Sequence, residues 1–457
     1  MTTVSTEGAT RLVGRFIAET SGANITSEDL ATARLSLIDT ALSFAVGAHH
    51  DPTSPLLGLN RDQKTGVELC GVRLSEAPVM AALAFGTVAR SLELDDWAPY
   101  GAAGAALWGT LLCLADVDGI TDESRLFDAY CVGLRVGVAL WTKGRYRQAD
   151  RGFDGTDIFG SIACAAAGAR LLKLDATQSS AAVAIAGSEM GGLVANLGTD
   201  VGVMHAGFAA RNGFQAALLA RAGIYGAADA LEARQGFGEA IFGPADGPLF
   251  GIENLLVGAA RVSDVVRFRR YPCDIEHQRV IEMVKSLAAS EGISTTDINF
   301  VRVEGVPPTS EGTRSDVPAS SGEARQSLHY VLSRLLMDRS ISLSDFSSAA
   351  LAGDGVVKAL GRVEIDILQR WDARLLQDNP AEATAVFVTT SAGDVLSGDP
   401  TTAARTLSAD ELLAKWESLV NADNAEISDW ARASLAAWRW SNDGGPEFAI
   451  LQAIRLG

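Results

Sequence analysis

Three carboxylates fall within four residues in "SLELDDWAPYGAAGAALWG", which runs from Ser91 to Gly109: Glu93, Asp95 and Asp96. They end an apolar stretch and precede a glycine and alanine tract without charge. Carboxylates so placed are either the acidic rim of a site for proton transfer or the solvated end of a core helix. The five histidines (His49, His50, His205, His277 and His329) show no metal-ligand spacing, so no metal is expected. His49 and His50 close a predicted helix, where a cationic side chain suits the dipole. No G-x-G-x-x-G follows a strand-like run, and the chain has no Walker loop, H-E-x-x-H or G-x-S-x-G.

The elements that must position these groups are mostly helical. "TSED" at Thr26–Asp29 is an N-cap pattern, and "LATARLSLIDTALSFAVGA" follows it at helical spacing. Ala-rich apolar runs recur at 77–92, 105–116, 126–141, 158–173, 178–195 and 206–222, with Gly, Asp or Pro between them. Small residues on so many faces predict closely packed helices. After about residue 265 the texture changes. "INFVRVEG" (298–305), "RVEIDI" (362–367) and "ATAVFVTT" (383–390) read as short strands, with a polar Pro/Ser/Gly loop and a helix near 323–337 between the first two. Two segments near the end, "SADELLAKWESLV" and "ISDWARASLAAWRW", are helical again.

The expected fold is therefore mainly α with an α+β lid: a helical domain over 1–265, a small α+β domain over 266–402, and helices over 403–457 returning to the first domain. A length of 457 residues suits two domains. Hydrophobic residues make up 47% and charged residues 21%, the composition of a globular chain. A net charge of −18 argues against a nucleic-acid surface. The uncharged stretch Trp97–Ala115 is nominally long enough to cross a bilayer. Its proline, glycines and alanines instead predict a turn and a buried helix, so no membrane partner is expected. Five scattered cysteines without a C-x-x-C pair fit a reducing cytoplasm; four read as core residues, with Cys273 open. The start lacks the basic flank and apolar run of a signal peptide.

"GTDVGVMHAGFAARNGFQAALLARAGIYGAADALE" (Gly198–Glu232) resembles the MmgE/PrpD family, which includes 2-methylcitrate dehydratase, cis-aconitate decarboxylase and iminodisuccinate epimerase. "AFGTVARSLELDD", "GFDGTDIFGSIACAAAGARLLKLD", "FRRYPCDIEHQRVIE" and "EARQSLHYVLSRLLMD" agree with family segments in order. The resemblance implies a large helical domain with a smaller lid, a homodimer, a cleft between the domains, and cofactor-free chemistry on small di- or tricarboxylates.

It also implies roles for residues. Asp95 and Asp96 stand where the family places its acidic pair. Asp154 replaces a family histidine, within Gly152–Asp157, which brings Thr156 and Asp157 to the same motif. It would serve as a base if burial raised its pKa, or would be a turn residue. His205 matches a common family residue and either binds substrate or packs the helix start. Arg269 stands for a lysine and suits bidentate carboxylate contact, or belongs to a solvated Arg267/Arg269/Arg270 face. His277 lies near a family histidine, and Tyr330 matches the family tyrosine that would donate a proton or hold a carboxylate. Each has a plain alternative, a surface helix residue and a core aromatic.

The departures predict altered chemistry. The histidine expected after Asp96 is missing, and Gly202 takes a lysine position. Each lost cation removes about 1.5–3 kcal/mol of charged hydrogen bonding to a polyacid. Phe85, Trp97 and Tyr100 make the expected pocket more apolar. Three functions follow as alternatives: a lyase or isomerase with Asp154 or the Asp95/Asp96 pair as base and Tyr330 as acid; a cyclase or rearrangement enzyme that shapes an apolar intermediate; or a non-catalytic binding protein. For the first, the substrate is less anionic than methylcitrate and belongs to specialised metabolism.

Overall fold

The computed structural model describes residues 7–20, 25–50, 56, 66–70, 72–144, 147–245, 249–257, 261–306, 317–367, 384–398, 406–422, 431 and 454. Its longer helices are α1 (Ala9–Glu19), α2 (Ser27–His50), α3 (Pro78–Arg90), α4 (Ala103–Val117), α5 (Glu123–Gly144), α6 (Gly155–Leu171), α7 (Ala176–Glu189) and α8 (Asp200–Arg221) in the first half. In the second half they are α9 (Ile275–Ser290), α10 (Leu328–Asp338) and α11 (Ala409–Ala422). A hairpin of β1 (Glu68–Leu69) and β2 (Val72–Arg73) lies beside the helices.

Helix α4 is buried from Ala103 to Ala115, so the uncharged run is a core helix, as its composition predicts. By length and composition, Ser27–His49 is apolar enough to cross a membrane, yet most of it is buried within the fold. Small residues set the helix spacing. A Cβ on Gly86 would stand 2.9 Å from the Ala206 carbonyl, and one on Gly133 2.6 Å from that of Ala163, so α3 meets α8, and α5 meets α6, with backbones nearly touching. All five cysteines are free and buried, Cys273 included.

The small domain carries β3 (Ile298–Val306), β4 (Val363–Ile367), β5 (Ala385–Thr390) and β6 (Val395–Gly398), in sheet order β4-β3-β5-β6. β3 runs parallel to β4 and antiparallel to β5, and β5 pairs antiparallel with β6. The first three strands lie where β-branched residues predict them; β6 is an addition, its sequence "VLSG" too short and mixed to read alone. Val301, Val303, Val386 and Val388 point into a core shared with α9 and α10. That core is separate from the helical one, to which Leu412 and Trp416 of α11 belong. Lys415 and Trp416 both donate to Asp39 Oδ1 on α2, at 2.8 and 2.7 Å. The segment "ISDWARASLAAWRW" lies, apart from Ala431, outside the described residues.

Helix α7 ends at Glu189, not near 195, and α8 begins at Asp200, not near 206. The difference matters, because the released segment Met190–Thr199 crosses the seam between the domains. Gly198 packs against Gly322 and Glu323 of the small domain.

Candidate active site

Asp154 caps the N-terminus of α6, accepting from the Thr156 amide at 3.4 Å. Its own amide donates to the Gly192 carbonyl at 3.0 Å, and the Val194 amide to that of Gly152 at 3.0 Å. These bonds splice the loop before α6 to the segment Met190–Thr199. Thr199 caps α8, and one and a half turns later His205 faces back towards α6. His205 Nδ1 lies 2.7 Å from Asp154 Oδ2. Among the described residues, Nε2 of His205 has no hydrogen-bond partner.

Burial alone would raise Asp154, but the hydrogen bond and charge of His205, the Thr156 amide and Arg90 outweigh it and hold the carboxyl below its usual range. Burial likewise opposes the charge on His205, and Asp154 and Asp157 overcome it, raising the imidazole above 6.5. Asp154 is therefore not the raised-pKa base that the sequence suggests. It is the hydrogen-bonded carboxylate that favours the charged form of the His205 ring. Nor does His205 simply pack a helix start, since it sits inside α8 with its ring committed to Asp154.

Asp157 accepts from Ser161 Oγ at 2.8 Å and from the Gly191 amide at 3.3 Å, and desolvation raises it. Thr156 Oγ1 accepts from the Ala102 amide at 3.4 Å, tying α6 to the turn before α4. A Cβ on Gly192 would lie 2.8 Å from that of Asp157 and 3.2 Å from the His205 ring, so this glycine closes over the pair.

The acidic stretch lies beside this site, in the seam. Asp95 is fully buried: Arg269 Nη1 donates to its Oδ1 at 2.7 Å and to its carbonyl at 2.6 Å. Glu93, also buried, pairs with Arg90 and with Arg269 Nη2 at 3.1 Å, and accepts from Gln326 Nε2 of the small domain at 2.7 Å. Arg90 and Arg269 both face the Trp97 ring, with guanidinium carbons 5.3 and 5.0 Å from its centroid. Arg90 was not singled out from the sequence, although its i,i+3 spacing to Glu93 is a readable signal. Asp96 points elsewhere. It accepts from the Gly104 amide at 2.6 Å and from Tyr130 at 3.3 Å, and burial lifts it to about 7. Neither Asp95 nor Asp96 is a free base, because an arginine holds one and a helix start the other.

Tyr330 follows its core-aromatic alternative, while Tyr100 and His277 depart from expectation. Tyr330 is buried in the small core and donates to the Asp345 carbonyl, which commits its hydroxyl. Burial raises it to about 12. Tyr100 is buried too, its ring against Gly137, so it does not line an open pocket. His277 is no surface residue: it is buried, both ring nitrogens lack partners among the described residues, and desolvation lowers it to about 4. Arg269 is no solvated residue either, having no exposure. Among the described residues, no group of three His, Cys, Asp or Glu could hold a metal ion.

Residues 11–248 match the MmgE/PrpD N-terminal domain and residues 271–436 the MmgE/PrpD C-terminal domain. Human cis-aconitate decarboxylase is 28% identical over 300 residues, which is 63% of this chain and 61% of the relative. The mouse protein of the same name is 27% identical over the same coverage. A cis-aconitate decarboxylase-like protein, oryM, of Aspergillus oryzae is 32% identical over 229 residues, 46% of each chain. The alignments thus span less than two thirds of the length of these relatives.

Proposed function

Because this chain belongs to the MmgE/PrpD family, we propose that it is a lyase or isomerase in which the Asp154–His205 pair moves one proton. The proton is exchanged at a carbon next to a carboxylate or carbonyl. The observation that carries the reading is the 2.7 Å contact between His205 Nδ1 and Asp154 Oδ2, with Nε2 left without a partner among the described residues. A carboxylate that fixes one imidazole nitrogen leaves the other as a proton donor or acceptor near neutral pH. The imidazole replaces the roles the sequence assigns to Asp154 and Tyr330.

The names of the relatives favour a decarboxylase-type reaction. Loss of CO₂ leaves electron density on a carbon, and the His205 imidazolium supplies the proton that quenches it. The substrate is a small acid less anionic than methylcitrate, since Arg90 and Arg269 are already paired with Glu93 and Asp95. The same reading has the protein acting without a cofactor, as a cytoplasmic homodimer in specialised metabolism.

The test is turnover of mono- and dicarboxylic acids in D₂O, followed by product NMR, with Asp154→Asn and His205→Gln beside the parent enzyme. Each variant should lose about 10²–10⁴ in kcat with KM nearly unchanged. For a raised imidazole acting as an acid, activity falls as pH climbs through the His205 pKa. In Asp154→Asn that limb moves to lower pH, because the counter-charge is gone. Undiminished turnover by both variants refutes the proposal.

A further inference from the structure

We propose that Glu93 is a built-in carboxylate ligand: it occupies the subsite made by Arg90 and Arg269 and thereby sets the enzyme against polycarboxylates. Arg90 Nη1 makes a short contact with its Oε2 and Gln326 Nε2 donates to its Oε1 at 2.7 Å, while Arg269 Nη2 lies 3.1 Å from Oε2 as an ion pair without hydrogen-bond geometry. Two arginines and an amide on one carboxylate is how a protein grips a free organic acid. Here the acid comes from the chain itself.

The backbone shows that the placement is imposed. Glu93 has φ +54, a left-handed conformation that a side chain with a Cβ adopts only at a cost. A glycine would suit that turn better, yet glutamate stands there, and the turn delivers its carboxylate between the two arginines. Arg90, Glu93, Asp95 and Arg269 are all buried and their formal charges cancel. A substrate carboxylate entering this subsite would have to displace Glu93 or lie beside it as an uncompensated buried charge. The latter is strongly unfavourable. Substrates whose acid group is satisfied at His205 escape that conflict.

The inference rests on the proton-transfer reading for the neighbouring residues but concerns binding alone, so the two fail separately. The experiment is calorimetric and thermal-shift titration of the full chain with acetate and with citrate, comparing the parent protein with Glu93→Gly and Glu93→Gln. Glycine removes the carboxylate and accepts the positive φ, so this variant keeps the turn; glutamine keeps the shape without the charge. Glu93→Gly should bind acetate saturably, and bind citrate at least about tenfold more tightly than the parent does, by the strength of a charged hydrogen bond. Glu93→Gln should gain less. Adding Arg269→Met to Glu93→Gly should abolish the gain. If both single variants fold, by circular dichroism, and neither gains carboxylate binding, the proposal is overturned. A parent protein that already binds citrate as tightly as Glu93→Gly overturns it too, whatever the variants do in turnover.

Discussion

Asp96 carries a proton at a pH where most aspartates do not, because it lies in the packed interior beside Asp39 and Asp95. Its folded pKa of about 7 stands above the ordinary 3.8, so its contribution to stability is present in acid and is lost as pH rises towards 7. Asp96→Asn should remove that loss. At pH 8 the variant should exceed the parent protein by up to about 4 kcal/mol in urea unfolding, and at pH 4 the two should converge. Equal stabilities at both values would show that Asp96 does not titrate in this range. The Asp154–His205 pair obeys a different rule. Asp154 is depressed and His205 raised, so the pair stabilises the fold most between about pH 4 and 6.5, fading as acid protonates the one or alkali discharges the other. Two buried aspartates in one protein thus respond to pH in opposite senses, by virtue of their partners.

At the scale of elements, the helices and three strands of the small sheet were legible because periodicity is local. Ala-rich runs bury whole faces, and β-branched alternation reads directly as β3, β4 and β5. The site was much less legible. Asp154 and His205 are 51 residues apart, and nothing near either one indicates the other. Asp95 and Tyr330 stand at recognisable positions, yet Arg269 and the Asp345 carbonyl, the partners that decide their chemistry, lie far away in sequence or on the backbone. The apolar run at 178–195 carries residues 190–195 into α7 because they continue the helical pattern. Gly191 and Gly192 are the signal that could have ended that helix. Their neighbours differ, which gives a paired prediction. Gly192→Ala should force the segment off Asp157 and His205, costing about 1–3 kcal/mol in thermal or urea unfolding and lowering kcat. Gly191→Ala, with nothing within 4 Å of its added carbon, should leave both unchanged. If the two behave alike, that segment is not what shapes the pair.

Taken whole, the molecule has two cores joined across a polar seam. Arg325 donates to the Leu92 carbonyl at 3.2 Å and to that of Pro272 at 2.9 Å, while Gln326 reaches Glu93. On the helical side, Lys415 of α11 donates to the Leu94 carbonyl at 2.8 Å. The acidic stretch Glu93–Asp96 is therefore gripped by the small domain and by α11, and a polar seam of this kind should separate more readily than either core melts. The distribution of sulfur makes that difference measurable. Cys70, Cys113, Cys131 and Cys164 lie in the helical core and Cys273 in the small one, all shielded and held in the unreactive thiol form by burial. The native protein should resist alkylating reagents by about a thousandfold or more relative to an unfolded chain. Mass spectrometry of partly labelled molecules should then find Cys273 labelled independently of the other four. The five thiols amount to a built-in tally of which half of the protein opens first.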